Sequence, residues 1–130
     1  MKPLNQKAQK VFDKIISDLD TGKTHKTIDN CDTAFMPLHV EKLGTSEVGT
    51  TYSFCHYFKQ NGDMCQDPEM LFIKHKSGRV FPSMFQMAIP PIYEESIFYD
   101  YGWKCRTRLQ RQHKDFANMW LKNIKEQQRL

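Results

Sequence analysis

Residues 52–72, YSFCHYFKQNGDMCQDPEMLF, decide the fold. From Tyr52 to Phe58 the pattern has a period of two: Tyr52, Phe54, His56 and Phe58 point one way, and Ser53, Cys55 and Tyr57 the other. That alternation predicts a strand. A polar stretch follows, and Met70 to Lys74 predict the next strand. Asn61-Gly62-Asp63 offers residues that tolerate positive φ, and Asp67-Pro68 offers a side-chain cap beside a fixed φ. The expectation is strand, polar turn, strand. The turn gathers Gln60, Asn61, Asp63, Gln66, Asp67 and Glu69 beside His56.

Outward from this hairpin the middle of the chain continues as β. Met36, Leu38 and Val40 alternate upstream, with Gly44 to Thr50 as a turn. Downstream, Lys76-Ser77-Gly78-Arg79 signals a short reverse turn and Val80 to Met87 a fourth strand; Pro90-Pro91 interrupt, and Ile92 to Tyr101 give a fifth. Connections this short favour an antiparallel meander, because parallel crossovers need about a dozen residues each. The flanks are helical. Ala8, Val11, Phe12, Ile15, Ile16 and Leu19 recur every three or four positions, and Thr21-Gly22 stops that run before a polar loop reaching about Asp32. At the other end Leu109, His113, Phe116, Ala117, Trp120, Leu121 and Ile124 form one stripe. The fold class expected is α+β: an antiparallel meander of about five strands with an N-terminal and a C-terminal helix on one face, residues 1–130 forming a single domain.

The 130 residues allow one hydrophobic core, and 39% hydrophobic content argues for a folded globule. No run approaches the roughly 18 to 20 apolar residues of a membrane helix. The N-terminal segment MKPLNQKAQKVFDK is charged throughout, so the expected location is cytoplasmic. Cys31, Cys55, Cys65 and Cys105 contain no CxxC pair and read as reduced thiols. The charge is uneven: from Lys104 onward it is +6, leaving about −2 for the rest. Arg108, Arg111, Lys122 and Arg129 fall on one side of the last helix, a possible grip for nucleic acid or simply a solvated face.

The polar turn is the main place to look for chemistry. Asp63, Asp67 and Glu69 supply the oxygen ligands that a hard divalent cation takes, with His56 as base or further ligand. Turn chemistry alone accounts for Asn61, Gly62, Asp63 and Pro68, and less well for Gln60, Gln66 and Glu69. Other motifs fail on spacing. Glu69 and Lys74 differ by an odd number, so they cannot share a strand face as a nuclease centre needs. Thr21-Gly22-Lys23-Thr24 lacks the earlier glycine of a phosphate loop, with Ser17 in its place. Cys55 and His56 are strand neighbours on opposite faces and cannot act as nucleophile and base. Tyr93, Tyr99 and Tyr101 lie near Glu94, Glu95 and Asp100, which suits a protein-binding surface better than a nucleic-acid one.

Two longer words carry a resemblance: HYFKQNGDMCQDPEMLF (56–72) and FANMWLKNIKEQQ (116–128). Between them Arg79-Val80-Phe81-Pro82, Phe85-Gln86 and Ile92-Tyr93-Glu94-Glu95 follow in order. Together they resemble an uncharacterised bacterial domain family found in mobile elements, plasmids and phages, over about residues 52–128. The resemblance implies a signature that includes His56, Tyr57, Gln60, Asn61, Gly62, Asp63, Asp67, Pro68, Glu69 and Met70, and no established activity. In that pattern an acidic residue follows the glutamine at the place of Gln86, where this chain has Met87. A family-wide acidic site is therefore incomplete here.

The reading favoured is a non-catalytic accessory or protein-interaction module, with an unknown protein partner, no membrane and no cofactor. Its expected contact residues are Gln60, Asn61, Asp63, Gln66, Tyr93, Tyr99 and Tyr101. Two alternatives stand beside it. One is a metal-dependent hydrolase or nuclease with a divalent metal on Asp63, Asp67 and Glu69 and His56 among its catalytic residues. The other is a nucleic-acid binder using Arg108, Arg111, Lys122 and Arg129.

Overall fold

The computed structural model describes residues 1–31 and 34–130. Helix α1 (Gln6–Ile16) begins where the Asn5 side chain accepts a 2.8 Å hydrogen bond from the Ala8 N–H, satisfying one of the free donors of the first turn. It buries Ala8, Val11, Phe12, Ile15 and Ile16, as the spacing predicts. Six strands follow in a meander whose spatial order equals the chain order: β1 (His25–Ile28), β2 (Leu38–Thr45), β3 (Gly49–Gln60), β4 (Asp63–His75), β5 (Val80–Met87) and β6 (Ile92–Glu95). All their pairings are antiparallel. A separate two-stranded ribbon, β7 (Ile97–Tyr99) with β8 (Trp103–Cys105), leads into helix α2 (Thr107–Gln127).

The α+β class and the meander match the expectation, and the strand count differs in three places. His25–Ile28, expected within a loop, pairs with β2 as an edge strand. Only Ile28 is buried there, so the segment has too little apolar pattern to announce a strand, and the open edge of β2 recruits it through backbone hydrogen bonds. The far end of that expected loop, Asp32, lies outside the described residues. β2 is also longer than expected, running on through Thr45. The expected fifth strand, 92–101, breaks at Ser96. The Ser96 N–H donates to the Ser83 carbonyl at 2.8 Å, its carbonyl accepts from the Arg106 N–H at 2.7 Å, and its Oγ lies 2.8 Å from Nδ1 of His113 on α2. These ties hold β6 in the sheet and send β7 off to pair with β8, a strand that the sequence did not suggest.

Both helices lie on one face. Phe12 stacks on Phe54 at 5.0 Å and meets Phe72 at 5.3 Å, while Phe85 meets Phe116 of α2 at 5.1 Å and His56 meets Trp120 at 5.5 Å. Each large side chain buried here contributes roughly 1.5–3 kcal/mol. The helix-side row of residues reads Val40, Phe54, Met70, Phe85, and then Glu94, whose carboxylate lies 3.2 Å from Nε2 of His113. Two buried glutamines pin the chain ends. Gln110 exchanges hydrogen bonds with the Lys2 backbone, and Gln128 with the backbone of Asn30 and Met36.

At the hairpin tip Asn61 (φ 53°) and Gly62 (φ 86°) form a two-residue turn. Gly49, with φ 154°, lies where a Cβ would sit 2.1 Å from the Lys74 carbonyl, so close strand approach requires glycine.

Candidate functional site: the helix-free face of the sheet

The hairpin corrects the expected polar turn. Because Asn61-Gly62 closes the loop alone, pairing resumes at once: Asp63 stands opposite Gln60, and β4 runs unbroken to His75. Asp63, Asp67 and Glu69 are thus spread along a strand rather than gathered in a turn. Six residues of strand span about 20 Å, so Asp63 and Glu69 do not meet. Among the described residues no group of three His, Cys, Asp or Glu side chains is placed to hold a metal ion. The register shift lies between Cys55 and Tyr57, where the single His56 faces Asp67 and Pro68. Pro68 has no N–H to give a ladder, so an irregularity is where a proline can sit in a central strand. Across the hairpin Cys55 faces Glu69 and Cys65 faces Phe58.

What the registers do assemble is the face away from the helices, since directly opposed residues of an antiparallel sheet share a face. One row across all six strands reads Thr27, His39, Cys55, Glu69, Gln86, Tyr93. The adjacent row reads His25, Glu41, Ser53, Leu71, Met84, Glu95. Three glutamates stand in these rows and neither lysine nor arginine does. Neither helix packs on them. The β7–β8 ribbon reaches over only one end, where Ile97 and Trp103 line, with Ile73 and Phe81, a groove of 200 Å³.

Glu69 is the centre. It is half-buried, and its two carboxylate oxygens are each held: Oε2 accepts from Ser53 Oγ at 2.5 Å, and Oε1 accepts from Gln86 Nε2. Around it stand Cys55, Tyr57, His39 and Tyr93. Tyr57 packs edge-on against His39 at 5.2 Å, which places it on this face and its neighbour His56 on the helix side. Burial pushes the Cys55 thiol up to about 12. Burial also raises the Tyr57 phenol to about 12, helped by the adjoining Cys55 thiol and the Glu69 charge. The hydrogen bond from Tyr93 to the Glu95 carboxylate raises the Tyr93 phenol. Burial lowers His39, as it lowers His56. The arrangement presents a fixed carboxylate among neutral aromatic rings. Such a centre is suited to receive a cationic group, above all a planar guanidinium.

The other sequence candidates are dispersed over the molecule. Gln60, Asn61 and Asp63 are exposed at the β3–β4 tip, and Gln66 is half-buried opposite Tyr57. Tyr93 closes the central row. Tyr99 and Tyr101 are exposed on the β7–β8 ribbon with Trp103, which meets Tyr99 edge-on at 5.6 Å. Arg108, Arg111 and Lys122 are exposed on α2, on the far side of the sheet, whereas Arg129, expected on the same helix, lies beyond its last residue with φ 55°. His56 is buried, its Nδ1 3.0 Å from the Pro37 carbonyl. Sequence reasoning missed Ser53, His39 and Glu41, and it held Gln86 only as part of a motif. Parity put Ser53 and Cys55 on one face of their strand, but only the register of β2, β4 and β5 brings Gln86 and Glu69 to them. It also missed Ser96, His113 and Glu94 as a connected set. Ser96 is fully buried there, so its hydroxyl serves the fold.

Fold and site together define a small α+β sheet domain, one face closed by two helices and the other left as an acidic surface around a tethered carboxylate. The chain belongs to the family described as Domain of unknown function (DUF6908), whose model matches residues 6–130. No curated protein and no solved structure matches it. Among the described residues no helix is long and apolar enough to cross a membrane.

Proposed function

We propose that this domain is a non-catalytic accessory module that binds a basic protein segment on its helix-free face, in the cytoplasm of a bacterium and in a mobile-element or phage setting. One observation carries the reading: Glu69 is clamped by Ser53 and Gln86 at the middle of a sheet face that holds three glutamates and no basic side chain in its two central rows. An arginine laid on this face meets a preorganised acceptor, so little ordering entropy is lost on contact. The ring of Tyr57, diagonal to Glu69, offers a stacking partner to that guanidinium, and His39 and Tyr93, two strands away on either side, offer rings to further basic side chains of the segment. Beyond Cys55 and Glu69 the β3–β4 pair runs on to its exposed tip, extending the contact surface to Gln60, Asn61 and Asp63.

The non-catalytic part rests on the state of the nucleophiles. Burial pushes both the Cys55 thiol and the Tyr57 phenol up to about 12, the opposite of the lowered value that activates a nucleophile. The mobile-element setting rests on the motif words at 56–72 and 116–128, and the cytoplasmic one on four free cysteines.

The test is a titration of isotopically labelled protein with a short arginine-rich peptide, followed residue by residue. Amide signals of Ser53, Cys55, Glu69 and Gln86 are expected to move. Glu69→Gln is expected to weaken binding about tenfold or more, the worth of a charge-assisted hydrogen bond. Signals that move only on the helices, or not at all, would sink the reading.

A further inference from the structure

The opposite side of the molecule carries the opposite charge. Helices α1 and α2 lie side by side, and a groove of 670 Å³ runs between them. Lys7, Lys10 and Lys14 line it from α1, and Lys122 and Lys125 from α2; Glu126 is the one acidic residue among its lining. All five lysines are exposed, and among the described residues none lies within 4.0 Å of a carboxylate. Elsewhere Lys23, Lys26, Lys74, Lys104 and Lys114 are each paired with an aspartate, while among the described residues Lys2, Lys42, Lys59 and Lys76 are unpaired but scattered, so the groove differs in gathering five such cations along one furrow. Spacings of three and four residues set Lys7, Lys10 and Lys14 side by side on α1 and Lys122 and Lys125 on α2, a like-charge repulsion that Asp13 and Glu126 offset only in part. Folding does not call for that arrangement. A ligand that neutralises it does.

We infer that this inter-helix groove is a binding site for the phosphate backbone of double-stranded nucleic acid. The groove is concave, and two lysine rows flank it, so a ridge of phosphates fits between them with cations on both sides. Lysines act here as point charges, which suits contacts blind to sequence. The exposed tyrosines stand elsewhere, on β6 and on the β7–β8 ribbon, so unpaired bases find no stacking platform in the groove. A duplex, whose bases stay stacked inside, needs none. This site is separate from the acidic sheet face and stands whether or not that face binds a basic segment.

The experiment is fluorescence anisotropy with a labelled DNA duplex of about 20 base pairs and arbitrary sequence, across NaCl from about 50 to 200 mM. With five lysines on phosphates, the log–log slope is expected to be about −4.5, a loss of about 500-fold in affinity over that range. Lys10→Gln/Lys122→Gln is expected to weaken binding and flatten the slope by roughly 2. Lys59→Gln/Lys76→Gln removes equal charge from exposed sites outside the groove, and it is expected to bind like the parent. Thermal melting of both variants checks that each is folded. Four results overturn the inference: no saturable binding at low salt, a shallow slope, equal losses in both variants, or tighter binding of polyglutamate or anionic vesicles than of the duplex.

Discussion

Ser53 Oγ donates a 2.5 Å hydrogen bond to the carboxylate of Glu69, diagonally across β3 and β4 on the helix-free face. Ser53 itself is buried, so this contact ties an otherwise solvated acid to the body of the sheet. Removing the hydroxyl leaves Glu69 with Gln86 alone. Ser53→Ala is expected to cost about 1.5–3 kcal/mol, the range for a hydrogen bond to a charged group. Chemical denaturation measures it; an unchanged midpoint and slope would show that the tether contributes nothing to stability.

Burial holds the His56 ring below its ordinary value near 6.5, against Trp120 and the Pro37 carbonyl. The folded state therefore prefers the neutral ring. Above pH 6.5 both states are neutral and its contribution is complete; below it the unfolded chain takes up a proton first. Stability is expected to fall as pH drops from 6.5 through the lowered folded value. His39, also lowered by burial and by His25, adds in the same direction. Asp18, held at about 2 by Lys26 and Lys23, responds only in strong acid and leaves that window clear. Thermal midpoints of the parent and of His56→Gln across mildly acidic pH make the comparison. If the two curves run parallel, His56 is not the titrating group.

The cysteines are expected to separate into two classes. Cys55 is buried with its thiol pushed up to about 12, and Cys31 is buried beneath Gln128. Cys65 and Cys105 are half-exposed. Thiolate is the reactive form, so an alkylating reagent at mildly alkaline pH is expected to modify Cys65 and Cys105 well before the other pair. Peptide mapping by mass spectrometry reads the order. Early modification of Cys55 would contradict both its burial and its protonated state.

Divalent metals are expected to leave the thermal midpoint unmoved. A cation bound at about 100 times its dissociation constant adds roughly 2.7 kcal/mol, a shift of several degrees. Asp63, Asp67 and Glu69, strung along β4, are not placed to supply that binding. Melting with EDTA, Mg2+, Mn2+ and Zn2+ tests the point. A clear shift that disappears in Asp67→Asn/Glu69→Gln would restore the metal-dependent alternative.

Whatever depends on neighbours along the chain can be read from the sequence. The alternation from Tyr52, the stripe from Ala8 to Ile16 and the stripe from His113 to Ile124 follow from strand and helix periods, which are properties of the backbone. Even the face assignments of Ser53, Cys55 and His56 came from parity alone. The hairpin was legible too, but its length was not. Asn61-Gly62 needs no further turn residues, so the acids read as a cluster became a strand.

The rest follows from register and packing, which join residues that no local pattern connects. His25–Ile28 became a strand through the free edge of β2, and Ser96 ended β6 through its ties to Ser83 and His113. Gln86 reaches Glu69 only because β5 pairs with β4 in one register, and a slip of one residue would turn it to the helices. The lysine groove depends on still longer range: residues 7–14 and 122–125 lie at opposite ends of the chain, and helix packing across a shared core sets their side chains along one furrow.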